Sequence, residues 1–88
     1  MIFITLSKFR RKASKDMIAQ TSKILEQMTK EGAKVLGFYW TLGRYDSVLI
    51  IDGKDEKTAM KWLVQAGDIA SSETLVGVPR EEANTFVE

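Results

Sequence analysis

The sequence predicts an α+β fold whose elements run β-α-β-β-α-β. Three observations carry this expectation. The chain opens on alternating apolar residues. An aromatic strand turns at a glycine into an aliphatic strand between Phe38 and Ile51. Two amphipathic stretches follow the first and third strands at helical spacing. With 88 residues, a single domain spanning 1–88 is expected.

Each element has its own signal. From Ile2 to Phe9, Ile2, Ile4 and Leu6 fall on one side and Phe3, Thr5 and Ser7 on the other, the period of a strand. Arg10-Arg11-Lys12-Ala13 connects to a helix that Ser14 is placed to cap, with Asp16 favourable in its first turn. Met17, Ile18, Thr21, Ile24, Leu25 and Met28 form its buried stripe, and Gly32 stands where the chain leaves the helix.

The second strand spans Lys34 to Leu42, with Leu36, Phe38, Trp40 and Leu42 on one face and Val35, Gly37, Tyr39 and Thr41 on the other. Gly43-Arg44 turns the chain. Ser47 to Asp52 is the third strand, and its four consecutive aliphatics predict an interior position. Asp55 caps a second helix through about Ala66, with Ala59, Met60, Leu63 and Ala66 inward and Trp62 near the edge. Ser72 to Val78 is the fourth strand, Pro79 stops it, and Arg80 to Val87 forms a short terminal helix. This order is ferredoxin-like: a four-stranded antiparallel sheet with two helices on one face.

Composition excludes several chemistries. The chain has no histidine and no cysteine. A histidine general base, histidine-ligated haem, disulfides and thiolate metal sites are therefore ruled out. Asp52, Asp55 and Glu56 are close in sequence, but helix capping accounts better for Asp55, and neither a metal nor another cofactor is expected. A net charge of +1 makes no case for nucleic acid. The longest aliphatic run, Val48 to Ile51, is far too short to span a bilayer. Basic residues follow the apolar N-terminus instead of preceding it, so a cytoplasmic protein away from membranes is expected.

Two helices cover only one face of such a sheet. Whichever face they take, the other keeps large apolar groups, because the third strand is aliphatic on both sides. A second copy about a two-fold axis is the natural cover. The expected assembly is a homo-oligomer, a dimer or a multiple of dimers, with paired sheets forming a dimeric α/β barrel. The alternative is a C-terminal tail folded over the open face.

The hairpin also resembles a known family. Phe-Tyr-Trp-Thr-Leu-Gly43-Arg44-Tyr45-Asp46, followed by a hydrophobic strand and then Asp55-Glu56-Lys57-Thr58-Ala59-Met60, is similar to the GYD family, named for a Gly-Tyr-Asp motif after the second strand. Ser72-Glu73-Thr74-Leu75 resembles the family's fourth-strand segment. Arg44 separates Gly43 from Tyr45, so the literal tripeptide is interrupted. The resemblance implies a ferredoxin-like domain of the dimeric α/β-barrel group. It implies no reaction, substrate or cofactor.

The candidate residues fall into three groups, each with a structural alternative. Arg44, Tyr45 and Asp46 at a strand end can contact a polar ligand or move a proton, or they can simply build the turn. If Tyr39 and Thr41 share the open face with Phe3, Thr5 and Ser7, they line a small-molecule pocket between sheets, or else a packed interface. Arg10, Arg11, Lys12 and Lys15, with Lys8, form a basic cluster before a helix that can hold an anion or, less favourably, nucleic acid. A solvated surface explains the cluster equally, as does pairing with Glu81, Glu82 and Glu88 of a neighbouring copy.

The leading reading is a homo-oligomer that binds a small organic ligand between subunits. The enzymatic alternative is a cofactor-free oxygenase or isomerase using Tyr39, Tyr45 and Asp46, and it lacks the commonest base. The third reading is an anion- or nucleic-acid-binding module built on residues 8–15.

Overall fold

A computed structural model describes residues 1–87, so Glu88 lies outside the described residues. The elements are β1 (Ile2–Phe9), α1 (Lys15–Lys30), β2 (Lys34–Trp40), β3 (Ser47–Asp52), α2 (Glu56–Gln65), β4 (Ala70–Gly77) and α3 (Arg80–Ala83), followed by a 3₁₀ turn at Asn84–Val87. The strands form one antiparallel sheet in the order β2-β3-β1-β4. This is the expected ferredoxin-like arrangement, with β1 and β3 interior. Among the described residues no helix is long and apolar enough to cross a membrane.

Local chemistry sets the boundaries. The Ser14 hydroxyl accepts from the Met17 N–H at 3.1 Å. Asp55 Oδ1 accepts from both the N–H (2.9 Å) and the hydroxyl (2.8 Å) of Thr58, which holds the Asp55 carboxyl below its usual range. Gly32 and Gly43 adopt φ of 97° and 96°, a region that disfavours side chains, at the exit of α1 and in the β2–β3 turn. β4 begins two residues earlier than expected because β1 pairs along its whole length, up to Phe9 opposite Ala70. β2 ends at Trp40 instead of Leu42, and the turn closes with the Thr41 N–H donating to the Asp46 carbonyl at 2.8 Å.

The sheet's two faces differ from simple alternation at one place. A β-bulge between Val35 and Gly37 puts Val35 opposite Ile51 and Gly37 opposite Ile50. Val35 therefore shares a face with Phe38 and Trp40, which corrects its expected grouping with Gly37, Tyr39 and Thr41. Leu36 takes up the extra residue.

The helices cover the face carrying Phe3. Phe3, Met28, Ala33, Ile51, Ala59 and Trp62 form the buried core, with Ile24, Leu25 and Leu49 packed against it. At the end of α1, Glu31 ties the two helices together. Its carboxylate accepts from Lys61 Nζ at 2.6 Å, from the Trp62 indole N–H at 2.8 Å and from Gln27 Nε2 at 3.1 Å. The indole bond matters because a buried tryptophan needs an acceptor for its N–H.

These bonds, Lys61 first and Trp62 second, lower the Glu31 pKa from 4.5 to about 2. A depressed carboxylate contributes stability that is complete above its unfolded pKa and lost as pH falls through the folded one. Between pH 4.5 and about 2 the wild type should lose melting temperature more steeply than Glu31→Gln. Thermal denaturation followed by circular dichroism checks this, and parallel curves for the two proteins would refute it.

Candidate functional site

The strand register divides the residues of interest between two surfaces. Phe3, Thr5, Ser7 and Phe9 share the helix side with Ser47, Leu49 and Ile51 of β3 and with Ser72 and Thr74 of β4. Ile2, Ile4 and Leu6 share the open side with Val48 and Ile50, Tyr39 and Leu75. Phe3, Thr5 and Ser7 are therefore not on the face of Tyr39, and the five residues do not line one pocket. Burial of β1 follows from this: Phe3, Thr5 and Ser7 are buried, while Ile2, Ile4 and Leu6 are only partly covered.

On the open side, Tyr39 is 59% exposed, and its ring lies over Gly37, where an added Cβ would sit 2.8 Å from a ring carbon. The Tyr45 hydroxyl donates to Glu73 Oε2 at 2.7 Å. That bond to a carboxylate raises the Tyr45 pKa, so the phenol keeps its proton and is poorly suited to act as a base. The Arg44 guanidinium stands 5.7 Å from the centre of the Tyr45 ring.

Thr41 and Asp46 are engaged in the turn. The Thr41 hydroxyl donates to the Tyr45 carbonyl at 2.7 Å. Asp46 Oδ2 accepts from the Phe9 N–H at 2.8 Å, and the Asp46 N–H donates to the Ser7 carbonyl at 2.8 Å. Asp46 thus pins the β2–β3 turn to the end of β1. The basic residues diverge: Arg10 Nε donates to the Gly67 carbonyl at 2.7 Å, and Arg11 reaches Gln20 on α1. Lys12 and Lys15 are exposed. Among the described residues no three histidine, cysteine, aspartate or glutamate side chains converge to hold a metal ion.

The helix side contains a cleft of about 90 Å³ between the sheet and both helices. Its floor carries hydroxyls from three adjacent strands. Ser47, Ser7 and Ser72 stand side by side across β3, β1 and β4. Ser7 and Ser72 share a hydrogen bond of 2.9 Å, and Thr5 shares one of 3.0 Å with Thr74. Ile24, Leu25 and Met28 of α1 and Trp62, Leu63 and Ala66 of α2 form the walls. A second groove, of about 260 Å³, runs beside α1 and shares Phe9, Thr21, Leu25 and Phe38 with the cleft. Trp40 flanks this groove, meeting Phe9 edge to face at 5.5 Å between ring centres.

Thr5 and Ser7, which the sequence offered as pocket-lining candidates, both line the cleft; Ser47, Ser72 and Trp62, which also line it, were not among those candidates. The available signal was the serines at 47 and 72 in the third and fourth strands, which the antiparallel register places beside Ser7.

Replacing Asp46 removes the acceptor for the Phe9 N–H. Asp46→Ala should lower the free energy of unfolding by about 1–3 kcal/mol, and Asp46→Asn, which keeps an acceptor oxygen, by less. Urea denaturation checks this, and an unchanged midpoint for Asp46→Ala would contradict it.

No curated protein matches the chain. The model of the GYD domain matches residues 2–87, covering the hairpin, both long helices and the tail. The chain therefore belongs to the GYD domain family.

Proposed function

We propose that this GYD-domain protein is a cytoplasmic homo-oligomer that pairs through the open face of its sheet and binds a small organic ligand. The cytoplasmic placement rests on the sequence alone. The observation that carries the oligomer is the composition of the uncovered face. Ile2, Ile4, Leu6, Val48, Ile50 and Leu75 are contiguous across three neighbouring strands, with Lys8, Lys34, Asp52 and Glu73 only at the margins. The whole face, four strands spaced about 4.8 Å apart and seven residues long, measures roughly 400 Å², and its apolar centre is a contiguous patch rimmed by charged residues, the pattern of an interaction site.

The C-terminal tail supports the same reading. Its substantial packing is between α3 and its own 3₁₀ turn, not against the sheet. Phe86 and Val87 remain exposed. The radius of gyration is 13.9 Å, against about 12 Å for a compact chain of this length. The tail thus leaves the sheet uncovered and adds apolar surface of its own. A second copy matches an apolar, two-fold-compatible face without requiring any complementary charge.

Sedimentation equilibrium should return twice the chain mass or a multiple of it. Ile4, opposite both Ile50 and Leu75, sits at the centre of the face. Ile4→Lys should weaken association at least about tenfold, since it places two ammonium groups per dimer in the middle of an apolar interface and forfeits burial of the part of Ile4 still open to solvent. A wild type that stays monomeric at high concentration would overturn the reading.

A further inference from the structure

We infer that each protomer binds one neutral, largely apolar molecule with a hydrogen-bond acceptor at one end, inside the protomer between the helices and the sheet. This deepens the ligand half of the reading above and is independent of the oligomer half. The acceptor end meets the hydroxyl floor of the cleft. The apolar body lies along the groove beside Phe9, Ile18 and Trp40.

The floor of the cleft is polar. Thr5, Ser7 and Ser47 are 7%, 8% and 4% exposed, on the face that the helices cover. Thr5 and Ser7 meet the cost of burial by pairing across the strands with Thr74 and Ser72, whereas Ser47 has no side-chain hydrogen-bond partner among the described residues. Serine and threonine occupy neighbouring positions of β3, β1 and β4, and the packing above them is left open. Protein interiors are close-packed, so a cleft above several hydroxyls is a departure from ordinary core construction.

The floor also has protons to spare. The Ser7–Ser72 pair owns two O–H groups, and the bond between the two residues uses one; the same holds for Thr5–Thr74. When the β4 member, Ser72 or Thr74, donates within its pair, the O–H of Ser7 or Thr5 is left to point into the cleft at another acceptor. Ser47 adds a further hydroxyl beside Ser7. A carbonyl or ether oxygen entering the cleft supplies such an acceptor.

Charge and size narrow the ligand further. Among the described residues, no charged side chain lines the cleft or the groove. A carboxylate or phosphate would lose its hydration there without gaining a counter-ion, so the ligand is neutral. The cleft holds about 90 Å³ and the groove, which shares four of its lining residues, about 260 Å³, each below the roughly 300–1,000 Å³ typical of small-molecule sites, so the ligand is small. The shape favours an elongated or bicyclic body. Ile18 is 50% exposed and Trp40 59% exposed, which gives the groove an accessible apolar mouth.

Three probes of nearly one shape test the proposal by isothermal titration calorimetry: 2-acetylnaphthalene, 2-ethylnaphthalene and 2-naphthoate. The ketone should bind saturably, the hydrocarbon about fivefold more weakly, and the carboxylate at least about 100-fold more weakly. Removing both members of a hydroxyl pair leaves no orphaned partner, so Ser7→Ala/Ser72→Ala should fold normally and lose the preference for the ketone over the hydrocarbon. Ile18→Lys, at the accessible mouth, should weaken both neutral probes more than tenfold. The proposal is overturned if the wild type does not bind the ketone, if the carboxylate binds comparably, or if both variants bind like the wild type. Repeating the titration on Ile4→Lys separates the two readings. Ketone binding by the dissociated chain supports a site within the protomer, and its loss there would return the ligand to the subunit boundary.

Discussion

A sheet has two faces, and this chain has two long helices that both lie on one of them. The rest of the structure answers to that constraint. The helix-covered face can be built with some polar groups, because the helices supply apolar cover and exclude water from it. Among the described residues, the other face has no helix over it. β1 shows the consequence within one strand. Its covered side reads Phe3, Thr5, Ser7 and its uncovered side reads Ile2, Ile4, Leu6. A monomeric two-layer domain would be expected to have the reverse, since aliphatics gain from burial and a hydroxyl at best breaks even there through a hydrogen bond of the kind Thr5 and Ser7 make. The inversion is hard to explain by stability alone. It makes sense if the covered side houses something other than packed side chains and the uncovered side is covered by another molecule.

The positions of the remaining polar residues fit this division. Glu31 and Asp46 are stitches, each joining segments that the sheet and helices leave separate. Glu31 reaches from the end of α1 to Lys61 and Trp62 of α2, so the two helices bordering the cleft are tied to each other at one end. Asp46 joins the β2–β3 turn to the end of β1, and in doing so fixes the strand that presents Ser7. Both carboxylates accept from N–H groups, the arrangement in which a charged acceptor is strongest. The aromatic cluster at the hairpin then has defined neighbours: Trp40 against Phe9 on the helix side, Tyr39 over Gly37 on the open side, and Tyr45 held by Glu73 at the β4 edge.

Much of this was legible in the sequence, for reasons that can be stated residue by residue. Period-2 alternation in Ile2–Phe9, capping by Ser14 and Asp55, and glycines at 32 and 43 are local signals, and each sits where local physics requires it. The choice of covered face was not legible, because both faces of β1 and β3 carry enough apolar bulk to serve. The bulge at Leu36 was also hidden: alternation assigns Val35 to the face of Tyr39, and only the pairing with Ile51 shows otherwise. The hydroxyl floor needed the register. Ser7, Ser47 and Ser72 are far apart in the chain, and nothing in their immediate sequence marks them as neighbours. The same gap separates Glu31 from Trp62, whose indole N–H called for an acceptor that sequence could not identify.

The placement of the cleft bears on how the two proposed activities of the domain relate. β1 is common to both surfaces, with Ile4 at the centre of one and Thr5 and Ser7 on the floor of the other. Yet successive side chains of a strand point to opposite sides, and the backbone between them is held by pairing on both edges, to β3 and to β4. A strand bonded on both sides has little freedom to rotate one face in response to the other. Association can therefore stiffen the sheet beneath the cleft without entering it, and a bound molecule can fill the cleft without altering the outer face. Coupling between the two would have to pass through the helices, which are tied at one end of the cleft by Glu31 and at the other by the bonds of Arg10 to the carbonyls of Gly67 and Ile69 beyond α2.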